Sequence, residues 1–167
     1  MIDHALACIT KELDDYLQVK ADTGPGQVVL DRLVDDNGRW AIPDDSVGVM
    51  LVNVQLDRAS RPAPSAGPLA LAGPAETDPA LNLNLSVLVT AQSRDYHAAL
   101  THLSHVLAFF NAHPLFARGR YPALGPGVES VEVSHEPLDF EQLHHIWSFV
   151  GGRQVPSVLY RVRVLAG

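Results

Sequence analysis

The side chains best able to do chemistry are histidines, of which the chain has 8. His97, His102 and His105 fall on the polar face of one predicted helix, and the spacing of the last two would let them share a metal ion. A zinc site needs three or four ligands, and no cysteine or carboxylate pattern completes this set. His144 and His145 are adjacent and would point about 100° apart on a helix, which makes them poor joint ligands. We therefore interpret these histidines as solvated and expect neither a metal nor a cofactor.

The sequence offers few signals for covalent or phosphate chemistry. Cys8, the only cysteine, lies on a predicted helix, where a lone cysteine is usually a small buried hydrophobic residue. Residues 24–26 and 125–127 both read Gly-Pro-Gly, but proline lacks the N–H that a phosphate loop would use, and neither stretch fits a nucleotide-binding pattern. No nucleophile elbow of the form G-x-S-x-G is present. The sequence thus predicts a protein that is not an enzyme.

Three close pairs of arginines are the candidates for partner contacts. The pairs are Arg58 with Arg61, Arg118 with Arg120, and Arg161 with Arg163. Taken singly, each arginine is expected to be a solvated surface charge. Together, in a chain of net charge -7, they would form basic patches that suit an acidic surface on a partner.

The composition predicts one globular domain over residues 1–167. Hydrophobic residues make up 47% of the chain and charged residues 19%, which is ordinary for a folded protein of this length. The negative net charge disfavours binding to nucleic acid or to an anionic membrane. No apolar run reaches the roughly 18 residues of a membrane span. The first residues show early acids and a helical period instead of a signal peptide, so we expect the protein to be made and assembled in the cytoplasm.

Hydrophobic periodicity predicts the elements of the first half. Residues 3–20 are predicted to form a helix, and residues 27–34 and 46–56 two strands. The second strand would carry on one face Met50, Val52, Val54 and Leu56. Residues 57–79, rich in proline and alanine and without a period, are predicted to be a loop within the domain. A strand follows at 81–92, where leucine and valine recur at every second position.

The second half continues with alternating elements. A helix is predicted at 95–112, a loop at 113–127, a strand at 128–137, a helix up to residue 150 and a strand at 155–165. The buried stripe of the first of these helices would be Tyr96, Leu100, Leu103, Val106, Leu107 and Phe110. That of the second would be Phe140, Leu143, Trp147 and Val150. The order α-β-β-β-α-β-α-β predicts an α+β domain in which helices pack on a single, mostly antiparallel sheet.

The last helix and the last strand carry the clearest local signals. Asp139 and Gln142 fit a capping box at the start of the helix, and Gly151 is placed to end it. The strand would pack on the helices through Val158, Tyr160, Val162 and Val164. Its opposite face, with Arg161 and Arg163, would then be directed away from those helices.

Four segments, which together span most of the chain, carry a family resemblance. They are MIDHALACITKELDDYL, VGVMLVNVQLDR, LNLNLSVLVTAQSRDYHAALTHLSHVLAFF and LHHIWSFVGGRQVPSVLYRVRVL. Through them the chain resembles the tail-cap or tail-terminator family of phage-tail-like contractile injection systems, of the antifeeding-prophage and virulence-cassette type. The most specific piece is the last segment, in which a short helix with leucine and tryptophan is stopped by Gly-Gly-Arg and followed by Pro-Ser-Val-Leu-Tyr-Arg-Val.

The resemblance implies structural work without catalysis. Terminators of this family form a ring, usually a hexamer, on the end of the tail tube away from the baseplate, where the ring stops tube growth and anchors the last sheath layer. The implied partners are further copies of this chain, the tail tube protein and the sheath protein, in a particle that is released from or retained in the cell. On this basis Leu159, Arg161 and Arg163 would face a neighbouring subunit or a tail component. The loops at 57–79 and 113–127 are second candidates for such contacts.

Two alternatives stay open. The first is a monomeric α+β domain that binds a peptide or a small molecule and works alone. The second is an enzyme with a scattered site, which would show a deep pocket with perturbed titratable groups near His102 and His105.

Overall fold

The computed structural model of the protein describes residues 1–21, 26–57 and 81–167. Arg58, Arg61 and nearly all of the predicted loop at 57–79 lie outside the described residues. The helices and strands of the described ranges are α1 (Ile2–Lys20), β1 (Val28–Leu30), β2 (Ser46–Leu56), β3 (Leu83–Gln92), α2 (Tyr96–Ala112), β4 (Leu115–Ala117), β5 (Ser130–His135), α3 (Phe140–Val150) and β6 (Ser157–Leu165).

The strands of the described chain form one sheet in the order β1-β2-β3-β6-β5-β4. β1 runs parallel to β2, and the other neighbouring pairs are antiparallel. The predicted α+β fold with one mostly antiparallel sheet is therefore confirmed. β6 lies between β3 and β5, so both of its edges are hydrogen-bonded and only its two faces are available for other contacts.

The helices cover the two faces of the sheet unequally. α1 and α2 pack on one face, which we call the α1/α2 face, and α3 packs on the other, the α3 face. Successive residues of a strand point to opposite faces. Leu85 and Val162 accordingly belong to the larger apolar cluster under α1 and α2, whereas Leu88 and Leu159 belong to the smaller one under Trp147 of α3.

The predicted packing face of β6 is confirmed. All of its members are buried in the cluster under α1 and α2, namely Val158, Tyr160, Val162 and Val164. Strict alternation of large apolar residues fixes which face of a strand is buried, because a shift of one residue would expose the whole set.

β2 changes face part-way along its length. Its register with β3 shifts between Leu51 and Asn53, which marks a β-bulge. A bulge turns the residues that follow it to the opposite face. Val54 and Leu56 are therefore paired with residues of the α1/α2 face, and the prediction that they share a face with Met50 is wrong.

α2 is rotated about its axis relative to the prediction. Its buried residues are Ala99, Val106, Phe109 and Phe110. Tyr96, Leu100 and Leu107, half of the predicted stripe, are exposed. Apolar residues occupy two sides of this helix, and contact with α1 selects one of them: the ring centroids of Tyr16 and Phe109 are 5.2 Å apart.

α3 begins and ends as predicted, and three of the four residues of its predicted packing face contact the cluster on the α3 face. The capping box between Asp139 and Gln142 is present, and Gly151 adopts the left-handed conformation at φ 77° that ends the helix. Trp147 is buried, Leu143 and Val150 pack against the same cluster, and Ile146 joins them. Phe140, the first helical residue, lies ahead of that contact and is 92% exposed, so its predicted burial is wrong.

Two strands differ from the prediction because their pairing is not local. β4 lies within the predicted loop at 113–127, and its three residues are too few to show a period of two. It is a strand because Phe116 pairs with Val131 of β5. β1 is likewise confined to Val28–Leu30, the part of the predicted strand at 27–34 that reaches β2.

Candidate interaction surface

Beyond α3, the α3 face of the sheet is polar, and the two arginines of β6 lie in its centre. Arg161 stands opposite serines of β3 and β5, and Arg163 stands between Asn84 and Glu132. These residues are two apart on one strand, so their side chains leave the same face. We call Arg161, Arg163 and the acidic residues that they contact the arginine strip.

Each arginine of the strip is held by carboxylates. Arg161 Nη2 donates to Glu136 Oε1 at 2.8 Å. Arg163 Nε donates to Asp57 Oδ2 at 2.8 Å, and its Nη1 donates to Glu132 Oε2 at 3.5 Å. The contact with Asp57, whose side chain is 9% exposed, ties the end of β2 to β6.

The arginine strip is not a basic patch. Its two guanidinium groups meet three carboxylates, so the strip as a whole carries no excess of positive charge. Alternating charges of this kind fix the register and the choice of a partner more than they attract it. The basic character expected for this pair of arginines from the sequence is thereby corrected.

Leu159 does not belong to the exposed part of this face. Its side chain is 6% exposed and packs in the cluster beneath Ile146 and Trp147 of α3. The expectation that it meets a neighbouring subunit is corrected, because the protein's own helix covers it. Arg161 and Arg163 lie further along β6 and remain at the surface.

Arg118 and Arg120 lie on the connection between β4 and β5. Arg118 Nε donates to the carbonyl oxygen of Val128 at 2.6 Å, which holds the side chain against its own loop. The guanidinium of Arg120 lies 5.5 Å from the centroid of the Tyr121 ring, within the range of a cation–π contact. Both residues are exposed.

The surface of α2 is a feature that the sequence interpretation missed. The helix has no Asp, Glu, Lys or Arg among its 17 residues, although it exposes Tyr96, Leu100 and Leu107. Depletion of charge together with exposed aromatic and aliphatic side chains is typical of the core of a protein interface. The signal was present in the sequence as two apolar stripes on one uncharged helix, more than a single buried face requires.

Two clefts lie along this helix. The larger, of about 560 Å³, runs between the C-terminal half of α2 and the strands β5 and β6, and we call it the α2 cleft. It is lined by Leu107, Ala108, Phe110, Asn111, Pro114, Val133, Ser134, His135 and Tyr160. A second cleft of about 440 Å³ lies beside the N-terminal half of α2 and reaches Leu143 of α3.

Within the described ranges, no group of three or more His, Cys, Asp or Glu residues is placed to hold a metal ion. Burial lowers the pKa of His102 and raises the pKa of the Cys8 thiol. Both shifts favour the neutral form of the side chain. For Cys8 this is the thiol, which is a much weaker nucleophile than the thiolate. No helix within the described part of the chain has the length and apolar character needed to cross a membrane.

The fold is similar to that of solved terminator structures. One is the PVC sheath/tube terminator of an extracellular contractile injection system in its extended state, with a TM-score of 0.56 and 20% sequence identity, covering 96% of this chain and 56% of the other. Another is the tube-terminating cap of the anti-feeding prophage, with a TM-score of 0.47 and 20% identity, covering 93% of this chain and 52% of the other. The chain thus spans about half the length of these proteins.

At the level of sequence, the chain matches a protein family but no individual curated protein. No curated protein matches this sequence. A family described as the Pvc16 N-terminal domain matches residues 4–166, which is nearly the whole chain. The protein therefore belongs to the Pvc16 N-terminal domain family.

Proposed function

We propose that this chain is a cap subunit of a contractile injection particle. Copies form a ring of six on the end of the tail tube away from the baseplate, where the ring ends tube growth and anchors the last sheath layer. The observation that carries this proposal is the likeness in fold, over 96% of the chain, to the PVC sheath/tube terminator. Residues 1–167 act as one terminator-like domain in this role, and no catalysed reaction or cofactor is involved.

The distribution of surface chemistry supports this role. A terminator needs a face that fits the tube end, an opposite face that offers no such template, and contacts around the ring that close on themselves. This chain carries an alternating charged strip on the α3 face and an uncharged helix on the α1/α2 face. Two surfaces of different chemistry suit two different kinds of neighbour.

Tube and sheath proteins are the proposed partners of the arginine strip. Arg161 is the part of the strip most open to a partner, since its side chain is 58% exposed. Arg118 and Arg120 are the second candidate, on a loop held by its own backbone contact. A loop or strip that is supported by a sheet offers its partner a surface of fixed geometry. Such a surface favours specific recognition of one tube end.

The experiment is to label and to delete the chain in a strain that makes the particles. A tagged copy should be found by electron microscopy at one end of each particle, the end opposite the baseplate. Deletion of the chain should broaden the distribution of tube lengths and leave the last sheath layer detached. Label along the whole tube, or unchanged tube lengths after deletion, would contradict the proposal.

A second candidate function is a monomeric domain that binds a peptide or a small molecule. The α2 cleft, of about 560 Å³, favours it, because ligand sites are concave and largely apolar with a few polar groups. Native mass spectrometry separates the two functions. A closed oligomer supports the cap, whereas a monomer that retains a co-purified ligand in this cleft supports the binding domain.

A further inference from the structure

The α2 cleft has largely apolar walls and is large enough for an aromatic side chain. Its walls are Leu107 and Phe110 on one side and Val133 on the other, and among the described residues no lysine, arginine, aspartate or glutamate lines it. A closed cavity of only about 150 Å³ is enough to hold a benzene ring. The cleft therefore has room for a phenyl ring and for the turn of chain that carries it.

Tyr160, which lines this cleft, has a buried hydroxyl group. Tyr160 is 3% exposed, and within the described residues its hydroxyl has no partner. Its oxygen is not open to the surface, so an occupant of the cleft meets instead the exposed polar groups that line it. Burial raises the pKa of Tyr160 to about 12, so at neutral pH the group is a donor. Asn111 and His135, which also line the cleft, can donate as well.

The same chain carries a side chain that fits this description. Phe140 is 92% exposed, the highest value among the large hydrophobic residues of the described chain. It is the first residue of α3, where the capping box of Asp139 and Gln142 holds the backbone in place. Its neighbour Glu141 is exposed and supplies an acceptor carboxylate beside the ring.

Phe140 does not line the cleft of its own chain. α3 packs on one face of the sheet, and α2, which forms a wall of the cleft, packs on the other. A contact between Phe140 and the cleft therefore joins two different surfaces of neighbouring copies. Such heterologous contacts generate a ring when the rotation between subunits closes.

We propose that Phe140 of one copy inserts into the α2 cleft of the next copy, with its ring against Leu107 and Phe110. The inference rests on the proposed ring and identifies its lateral contact. It also accounts for the exposure of Leu107 on a helix that has no Asp, Glu, Lys or Arg.

Cross-linking between separately prepared variants tests the contact. One preparation carries Phe140→Cys and the other Leu107→Cys, both in a Cys8→Ala background that removes the chain's only cysteine. The mixture is treated with a short bismaleimide, and adducts are identified by mass spectrometry. The control replaces Phe140→Cys by Phe149→Cys, a residue of the same helix that is 59% exposed.

The expected result is a mixed adduct at least about tenfold more abundant with position 140 than with position 149. All three cysteines replace exposed residues, so the variants should melt at nearly the temperature of the Cys8→Ala chain. Equal yields at the two positions, or a chain that stays monomeric and forms no mixed adduct, would overturn the contact.

Self-association measured by sedimentation equilibrium gives an independent readout. Phe140→Ala should weaken association at least about tenfold, since it removes a buried aromatic anchor, whereas Phe149→Ala should leave it unchanged. If Phe140→Ala associates normally while the tagged wild-type chain still marks particle ends, the contact is wrong and the proposed function stands.

Discussion

Replacing Arg161 by glutamate separates the structural role of the arginine strip from its proposed role in assembly. Arg161 pairs with Glu136 at 2.8 Å, and its side chain is 58% exposed. An exposed ion pair contributes about 0–1 kcal/mol to the free energy of unfolding. The new carboxylate would also face Glu136, and two like charges about 4 Å apart in water repel by about 1 kcal/mol. The folded chain should therefore lose about 1–2 kcal/mol.

This loss is too small to unfold the domain. For a chain of this size 1 kcal/mol lowers the melting temperature by about 2–4 °C. The Arg161→Glu chain should melt about 2–8 °C below the wild type in differential scanning calorimetry. Introduced into a strain that makes the particles, it should nevertheless fail to cap tubes, so that electron microscopy shows the broad tube lengths expected of a deletion.

Two further variants make the test decisive. Arg94→Glu is the matched control, since Arg94 pairs with Asp44 at 2.7 Å on an exposed surface away from the strip. The charge swap Arg161→Glu with Glu136→Arg restores an ion pair, so stability should recover while capping stays impaired. Normal particles from the Arg161→Glu chain, or equal defects from Arg94→Glu, would refute the assignment of the strip to a partner contact.

Three other predictions concern the fold that positions these surfaces. Asp139→Ala removes the capping box of α3 and should lower the free energy of unfolding by about 1 kcal/mol. Thermal melting should show a smaller loss of stability for Asp139→Asn. Gly48→Ala should lower the free energy of unfolding, measured with urea, by about 1–3 kcal/mol, because an added Cβ would lie 2.6 Å from Leu33 Cδ2. Gly119→Ala, which has open space around it, should be nearly neutral, and equal effects of the two changes would contradict the packing. Burial tends to raise the pKa of Asp14, but hydrogen bonds from the backbone after α1 outweigh it and lower the pKa. Because the pKa of Asp14 is lower in the folded chain than in the unfolded chain, Asp14 stabilises the fold at pH values above the unfolded pKa of about 3.9. This contribution is lost as the pH falls through the folded pKa. Asp14→Asn should therefore show a flatter dependence of stability on pH in acid unfolding.

The features predicted correctly from the sequence are those that neighbouring residues determine. The capping box of α3 needs only Asp139 and Gln142, and a strand with large apolar residues at alternate positions, such as β6, can bury only one face. The arginines of β6 were placed on the correct face for the same reason. Their carboxylate partners were not predicted, because Asp57 is 106 residues away from Arg163 along the chain.

The features that were missed depend on contacts between distant segments. β4 exists only through its pairing with β5, and the bulge in β2 is defined by the register with β3. The rotation of α2 is set by α1, through the contact of Tyr16 with Phe109. The burial of Leu159 requires α3 to return across the sheet before β6 begins, which the pattern within β6 does not reveal.

The two candidate surfaces differ in chemistry in a way that suits a closed ring on a polymer end. Lateral contacts between identical copies are made once and kept, and such contacts bury apolar area with depleted charge, as α2 and its cleft would do. A contact with a tube end must instead reject every other surface in the cell. Fixed alternating charges give that selectivity, since a partner with the wrong pattern places like charges together. On this argument, substitutions in the α2 cleft should break the ring itself, whereas substitutions in the arginine strip should leave intact rings that no longer recognise the tube.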